Sequence, residues 1–191
     1  MTHVADVEHE AGREALHAWA TREHPRLNVL VNNAGIQRYP RLAEPEPWAE
    51  TRRELAINLE APLHLTALFI PHLLRQPRPA IVNVTSGLAF VPIAKAPVYS
   101  ATKAALRSYT QSLRHQLAAT PIRVIELIPP AVDTDLGGPG LHTFGVKLDV
   151  FLDDVLPRIA RGELEVAHGF AEEGRRATRT ELDAIFQRMN G

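Results

Sequence analysis

Tyr99 and Lys103 are four residues apart in the stretch Tyr99-Ser100-Ala101-Thr102-Lys103. On a helix that spacing puts both side chains on one face. An ammonium beside a phenol favours the phenolate, so Lys103 is expected to lower the Tyr99 pKa from its ordinary value of about 10. Such a phenol can give and take protons near neutral pH. The pattern alone is common on surface helices. Here it is joined by Ser86, by Asn58 and by Asn32-Asn33-Ala34-Gly35.

The elements that must hold these residues alternate between strand and helix. Leu27 to Val31 is an apolar run of strand length, and it stops at Asn32-Asn33-Ala34-Gly35. Ala80 to Val84 is a second such run, and Thr85-Ser86-Gly87 follows it. Ile122 to Ile128 is a third, followed by Pro129-Pro130-Ala131-Val132-Asp133-Thr134. Ligands of open α/β sheets sit beyond the carboxyl ends of strands, where small residues let a ligand approach the backbone. A plain Asn-Gly turn is the alternative at Asn32 to Gly35. Ser86 reads as a turn serine, or as a hydrogen-bond donor to a substrate oxygen. As a hydrolase nucleophile it lacks a Gly-x-Ser-x-Gly elbow.

A helix is expected from Trp48 to about Arg75, after the proline-rich loop Arg38 to Pro47. Pro62 lies inside it and has no N–H for the carbonyl four residues earlier, that of Asn58. A kink should open there, and the freed carbonyl can hold a water or do nothing chemical. Tyr99 to Ala119 reads as an amphipathic helix with Leu106, Tyr109, Leu113 and Leu117 in one stripe. Helices are also expected over Glu8 to Arg22, Val150 to Arg161 and Thr178 to Met189, with a last strand over Glu163 to Ala167. Val4 to Val7 reads as the tail of a strand, and Asp6 as a helix N-cap. The glycines of Asp135 to Leu148 suggest a mobile lid, and Phe90 to Pro97 suits a cleft wall.

Taken together, in order and spacing, these motifs resemble the short-chain dehydrogenase/reductase family from about Ala5 to the C-terminus. Pro129 to Leu136, Gly137 to Phe144 and the tail Glu181 to Asn190 look like its DltE-type subgroup. The resemblance implies a hydride transfer between NAD or NADP and a small carbonyl or alcohol. It gives Tyr99 the proton on the substrate oxygen and Ser86 a hydrogen bond to the same oxygen. Lys103 would bind the nicotinamide ribose alongside Tyr99, and Asn58 would hold a relay water. Asn32, Asn33, Ala34 and Gly35 would contact the cofactor ribose, with an asparagine stabilising the sheet, and Asp6 would contact the adenine. Pro130 would contact the cofactor, and the Val132 backbone and the Thr134 hydroxyl would hold the nicotinamide amide. Most family members carry glycine where Pro130 stands, so this turn is stiffer. The Leu106–Leu117 stripe would pack on a second copy, making a homo-oligomer, or it simply covers the sheet.

The family opens with a glycine-rich turn that cradles pyrophosphate at a helix N-terminus. These 191 residues contain no Gly-x-x-x-Gly-x-Gly. At roughly 30 residues per βαβ unit, about 60 residues of the pattern are lacking. The expected fold is therefore α/β, a Rossmann-like doubly wound and mainly parallel sheet with helices on both faces. It is N-terminally truncated, a single partial domain over residues 1–191 with the first two strands and helices missing. The Leu27–Val31 strand should then be an apolar edge, and part of one sheet face should be uncovered. Cofactor binding should be impaired. A start at an internal methionine of a longer chain is the favoured explanation, with a remnant or a partner-supplied half as the others. An interaction module without enzymatic activity is the rival function.

Composition narrows the rest. The net charge is -1 with no long basic or acidic block, which argues against nucleic acid and anionic membranes. No apolar span reaches 18 residues, and the first residues are polar, so a cytoplasmic protein is expected. There is no cysteine, hence no disulfide and no thiolate metal site. The nine histidines form no His-Glu-x-x-His pattern, and no metal is expected.

Overall fold

The computed structural model describes residues 2–191. Four parallel strands form one sheet in the order β1-β2-β3-β4: β1 Val29–Asn32, β2 Ala80–Val84, β3 Arg123–Ile128 and β4 Glu165–Ala167. Helix α1 Glu10–Glu23 precedes β1, and α2 Trp48–Leu55, α3 Ala61–Leu73, α4 Pro97–Gln116 and α5 Leu148–Ala160 run between the strands. Helices α6 Phe170–Arg176 and α7 Arg179–Asn190 close the chain. This is the expected Rossmann-like α/β fold, with no helix long and apolar enough to cross a membrane among the described residues.

The apolar strands work because each is covered. On one face Ile81 and Val124 pack with Ala20 of α1, with Leu65, Phe69 and Leu73 of α3, and with Leu113 of α4. On the other, Val82 and Ile125 pack with Ile159 of α5. The uncovered apolar face anticipated above is therefore confined to β1, where Val29 and Val31 are about half exposed at 42% and 54%. The strand begins two residues later than expected because the Leu27 N–H goes to the His24 carbonyl in a turn. The Leu106–Leu117 stripe lies against the chain's own sheet: Leu106 and Leu113 are buried, and Tyr109 and Leu117 pack on the core around Ile81. Covering the sheet accounts for its apolar character.

The long helix expected from Trp48 is broken. Between α2 and α3 lies one π-helical turn, Ala56–Glu60, with Asn58 inside it. Pro62 then falls in the first turn of α3, where a missing N–H is least costly. The expected kink is thus a π-bulge, a device that commonly reshapes a helix at a site.

Val4 to Val7 is not a strand. Arg13, 2% exposed, gathers this segment by donating to the Val7 and Glu8 carbonyls at 3.1 and 3.3 Å. It also pairs with Glu60 at 2.5 Å and with His64 Nδ1 at 3.1 Å. Asp6 is not the N-cap either, since His9 occupies that position. The Asp6 carboxylate accepts the Glu8 N–H at 2.9 Å, a turn ahead of the helix. A Cβ on Gly12 would lie 2.0 Å from the Asp6 carbonyl oxygen, so the turn seats itself on a glycine. At the other end, α7 starts with a reciprocal Thr178–Glu181 capping box. The short α6, which follows Gly169 at φ +53°, had no distinct periodic signal.

Candidate active site

The residues singled out by type and spacing converge at the carboxyl ends of β1 and β2. Pro97 starts α4 and sets Tyr99 in its first turn, with Lys103 one turn further on. Both are almost fully buried. The Lys103 ammonium sits 5.5 Å from the centroid of the Tyr99 ring and donates to the Val84 carbonyl at 2.8 Å. Ser86, two residues after β2, accepts the Leu88 N–H at 3.1 Å and draws the Tyr99 pKa down.

Asn58 ties this group to the loop after β1. Its Oδ1 accepts the Ile36 N–H at 2.9 Å, and its Nδ2 donates to the Ile36 carbonyl at 2.8 Å and to Thr102 Oγ1 at 3.3 Å. A Cβ on Gly35 would be 3.3 Å from Asn58 Oδ1 and 3.9 Å from Lys103 Nζ. Asn32 stitches the sheet to a helix, donating to Asn83 Oδ1 at 2.8 Å and to Thr66 Oγ1 at 3.1 Å. Asn83 continues the chain to Thr110 Oγ1 at 2.9 Å. These bonds engage the side-chain amides in an apolar setting and lock β1, β2, α3 and α4 together.

The other expected cofactor residues are more dispersed. Pro130 is half-buried in the turn after β3, and the Thr134 hydroxyl donates to the Val132 carbonyl at 3.3 Å. Val132 also bridges Val146, which ties down the far end of the glycine-rich segment. There Gly145 is needed for close approach, since a Cβ would meet the Ala131 carbonyl oxygen at 2.7 Å. Asn33 and Ala34 are exposed on the rim, and Asp6 stands apart on the turn ahead of α1. A pyridine dinucleotide fits what is present. Asn32 Oδ1 is buried without a partner, the side-chain-free surface of Gly35 lies beside Lys103, and the strand ends are open to a ligand.

The electrostatics differ from the expectation. The Tyr99 phenol is pushed up to about 12, first by burial and then by the charges of Glu54 and Tyr39, against the pull of Ser86. Burial also drives Lys103 down to about 8. The ammonium lies over the ring and bonds to a carbonyl, and it is itself disfavoured as a cation. Desolvation therefore outweighs the neighbouring positive charge.

Three side chains near this site escaped the sequence reading. Glu54, four residues before Asn58, is fully buried. Glu126 of β3 is also fully buried, taking a hydrogen bond from the Thr85 hydroxyl at 2.8 Å and an ion pair from Arg107 at 2.9 Å. Asn190, near the C-terminus, clasps the Phe90–Pro97 loop: its Nδ2 donates to the Pro92 carbonyl at 3.1 Å and its Oδ1 accepts the Ala94 N–H at 2.5 Å. A charged residue inside the apolar run Ile122 to Ile128 was a signal available for Glu126. The other two carried none.

Comparison with known proteins agrees with this arrangement. Residues 1–141 match the family model described as short chain dehydrogenase. The chain is 46% identical over 195 residues to a Bacillus subtilis protein called uncharacterized oxidoreductase DltE, covering 99% of this chain and 77% of that one. It is 32% identical to an uncharacterized oxidoreductase of Staphylococcus saprophyticus, covering 72% of this chain and 58% of that one. Among solved structures, a short chain dehydrogenase from Burkholderia cenocepacia in complex with NADP superposes with a TM-score of 0.82 at 26% identity, over 96% of this chain and 78% of that one. A short-chain dehydrogenase from Sphingobium yanoikuyae in complex with NADPH gives 0.76 at 26% identity, over 96% and 72%. With its motifs gathered at the strand ends and these relatives beside it, the chain belongs to the short-chain dehydrogenase/reductase family, in the DltE-like branch.

Proposed function

We propose that this protein is an NAD(P)-dependent oxidoreductase that interconverts a small-molecule carbonyl and its alcohol, with Tyr99 as the general acid and base. One observation carries the reading: Tyr99 and Lys103 are buried together on α4, the ammonium 5.5 Å from the ring and bonded to the Val84 carbonyl that ends β2, with Ser86 two residues further on. Ser86 donates to the substrate oxygen and steadies the charge that develops there. Tyr99 gives its proton to that oxygen in reduction and takes it back in oxidation. Lys103, with donors to spare beyond its Val84 bond, binds the ribose and feeds protons toward Tyr99. The Asn58 side chain holds the Ile36 peptide, and its carbonyl, facing Pro62, holds the relay water.

A bound dinucleotide supplies the hydride. Asn33 to Gly35, Tyr99, Lys103, Pro130, Val132 and Thr134 would hold its nicotinamide and ribose, and Asp6 its adenine. The two structural neighbours in complex with NADP and NADPH support a pyridine nucleotide here. These 191 residues hold no glycine-rich pyrophosphate turn, so the chain taken alone should bind the nucleotide weakly. A cysteine-free composition suits the cytoplasm.

The test is Tyr99→Phe assayed with NADPH and NADH against a panel of ketones. Turnover should fall by about 100-fold or more, the scale of general acid–base catalysis. Undiminished turnover would remove the assigned role. The second reading, an association module, is favoured by the half-exposed valines on the β1 edge. Saturable quenching or enhancement of nicotinamide fluorescence supports the enzyme. No binding together with concentration-dependent assembly supports the module.

A further inference from the structure

Glu54 is 0% exposed, and the structure gives its charge no adequate partner. Oε1 accepts only the backbone N–H of Arg38 at 3.3 Å, and Oε2 is buried with no hydrogen bond. The neighbouring cation is engaged elsewhere: the Arg38 guanidinium pairs with Glu46 and lies 3.6 Å from Glu50, makes no hydrogen bond to Glu54, and draws the Glu54 pKa down by its charge without offsetting burial. An unpaired buried carboxylate is costly, because burial removes water without supplying a substitute. Glu126 shows that this fold can satisfy a buried carboxylate fully where it is only structural.

Its position gives the orphan carboxylate a listener. Glu54 lies one helical turn before Asn58, on α2, which packs against α4. Glu54 is the buried residue of α2, so its carboxylate is turned toward the helix that carries Tyr99, where Lys103 also lies 5.5 Å from the Tyr99 ring; the charges of Glu54 and of Tyr39, from the loop after β1, both act on the Tyr99 phenol. Glu54 in turn is faced by Arg38 and Glu46 of that loop. Lys95 lies 5.6 Å from the Tyr39 ring centroid, on the outer side of the same wall. A negative charge in this low-dielectric wall disfavours a second negative charge on the phenol.

We propose that Glu54 is a positioning residue for the Tyr99 proton: its unpaired carboxylate holds the phenol in the acid form and so biases the site toward donating a proton, as carbonyl reduction requires. This rests on the reading of Tyr99 as the acid and base. The direction of the Tyr99 shift, upward with Glu54 among its causes, agrees with the placement. Deprotonation of Tyr99 is harder while Glu54 is ionised. Alcohol oxidation, which needs the phenolate, is thereby pushed to higher pH.

The experiment is a pH titration of protein labelled with 13C at tyrosine Cζ. The chain has three tyrosines, so Tyr39→Phe and Tyr109→Phe assign the Tyr99 signal. Glu54→Gln should move the Tyr99 midpoint to lower pH, and Glu54→Asp, which keeps the charge, should leave it close to the parent. The pH profile of NADP+-dependent oxidation of secondary alcohols should shift its acid limb downward in Glu54→Gln alone. An unchanged Tyr99 midpoint in Glu54→Gln, or an equal shift in Glu54→Asp, would overturn the proposal. Should Glu54→Gln not fold, the parent protein still decides: the Tyr99 signal must step where the Glu54 carboxyl carbon titrates, and the lack of a step overturns the proposal. Retained turnover in Tyr99→Phe would sink the reading of the site and leave these titrations intact, so the two can fail separately.

Discussion

Glu54 and Glu126 are both carboxylates with no exposed surface, one on α2 against α4 and the other on β3 paired with Arg107 of α4. Burial raises both above the ordinary glutamate range. Around Glu126 the fold responds with Arg107 and the Thr85 hydroxyl, one oxygen each. Around Glu54 it responds with a single long backbone contact and leaves Oε2 without a partner. Glu126 fastens β3 to α4 and to the residue before Ser86, so its role is to hold. Glu54 holds almost nothing. A buried charge that fastens nothing is a cost to folding with no structural return, which directs attention to what its field does at Tyr99.

The widest separation between the two should come from truncation of Glu126. Glu126→Ala strands Arg107, which also stacks 4.1 Å from the Phe90 ring centroid, and removes the acceptor of Thr85. Breaking a buried pair by removing one partner costs about 3 kcal/mol or more. Urea unfolding should register that loss. A loss close to zero would mean that the Arg107–Glu126 pair does not organise the wall behind Ser86. Thr85→Val is the milder form of the same test. It deletes one hydrogen bond to a charged group, worth roughly 1.5–3 kcal/mol, and leaves the ion pair in place. A cost equal to that of Glu126→Ala would show that the hydroxyl, not the guanidinium, is the main partner.

The same contrast marks how far the sequence could be read. Tyr99, Lys103, Ser86 and Asn58 were legible because chemistry-bearing types recur at fixed offsets from apolar runs. Pro62 even located the break at Asn58 to within the π-helical turn, since a missing N–H acts locally. Glu54 was invisible. Its neighbours Glu50, Arg52 and Arg53 give Trp48 to Leu55 the look of a solvated helix, and only the packing of α2 on α4 buries one of its charges. The Tyr99 pKa was misjudged for the same reason. Spacing puts an ammonium on the correct face, but it does not say how much water remains there, and desolvation decided the sign. Arg13 and Asn190 make long-range contacts that no local pattern encodes.

The smallest effect is the most discriminating, the stability of Glu54→Gln as a function of pH. The amide oxygen can keep the Arg38 N–H bond, and no cation loses its main partner, so the change at any one pH should be within about 1 kcal/mol and favourable to folding. Its pH dependence has a fixed sign. The folded pKa of Glu54 lies above the unfolded value of 4.5, so the folded state holds the proton more tightly. That contribution is fully present below pH 4.5 and is lost as pH rises through the folded pKa. Glutamine does not titrate. The variant should therefore match the parent most closely at acid pH, gain on it as pH climbs from about 4.5, and hold a constant lead above the folded pKa. A lead that shrinks with rising pH would mean the ionised carboxylate is stabilised in the fold after all, by Arg38 or by solvent. Glu54 would then be a second Glu126, and the difference between the two buried carboxylates would vanish.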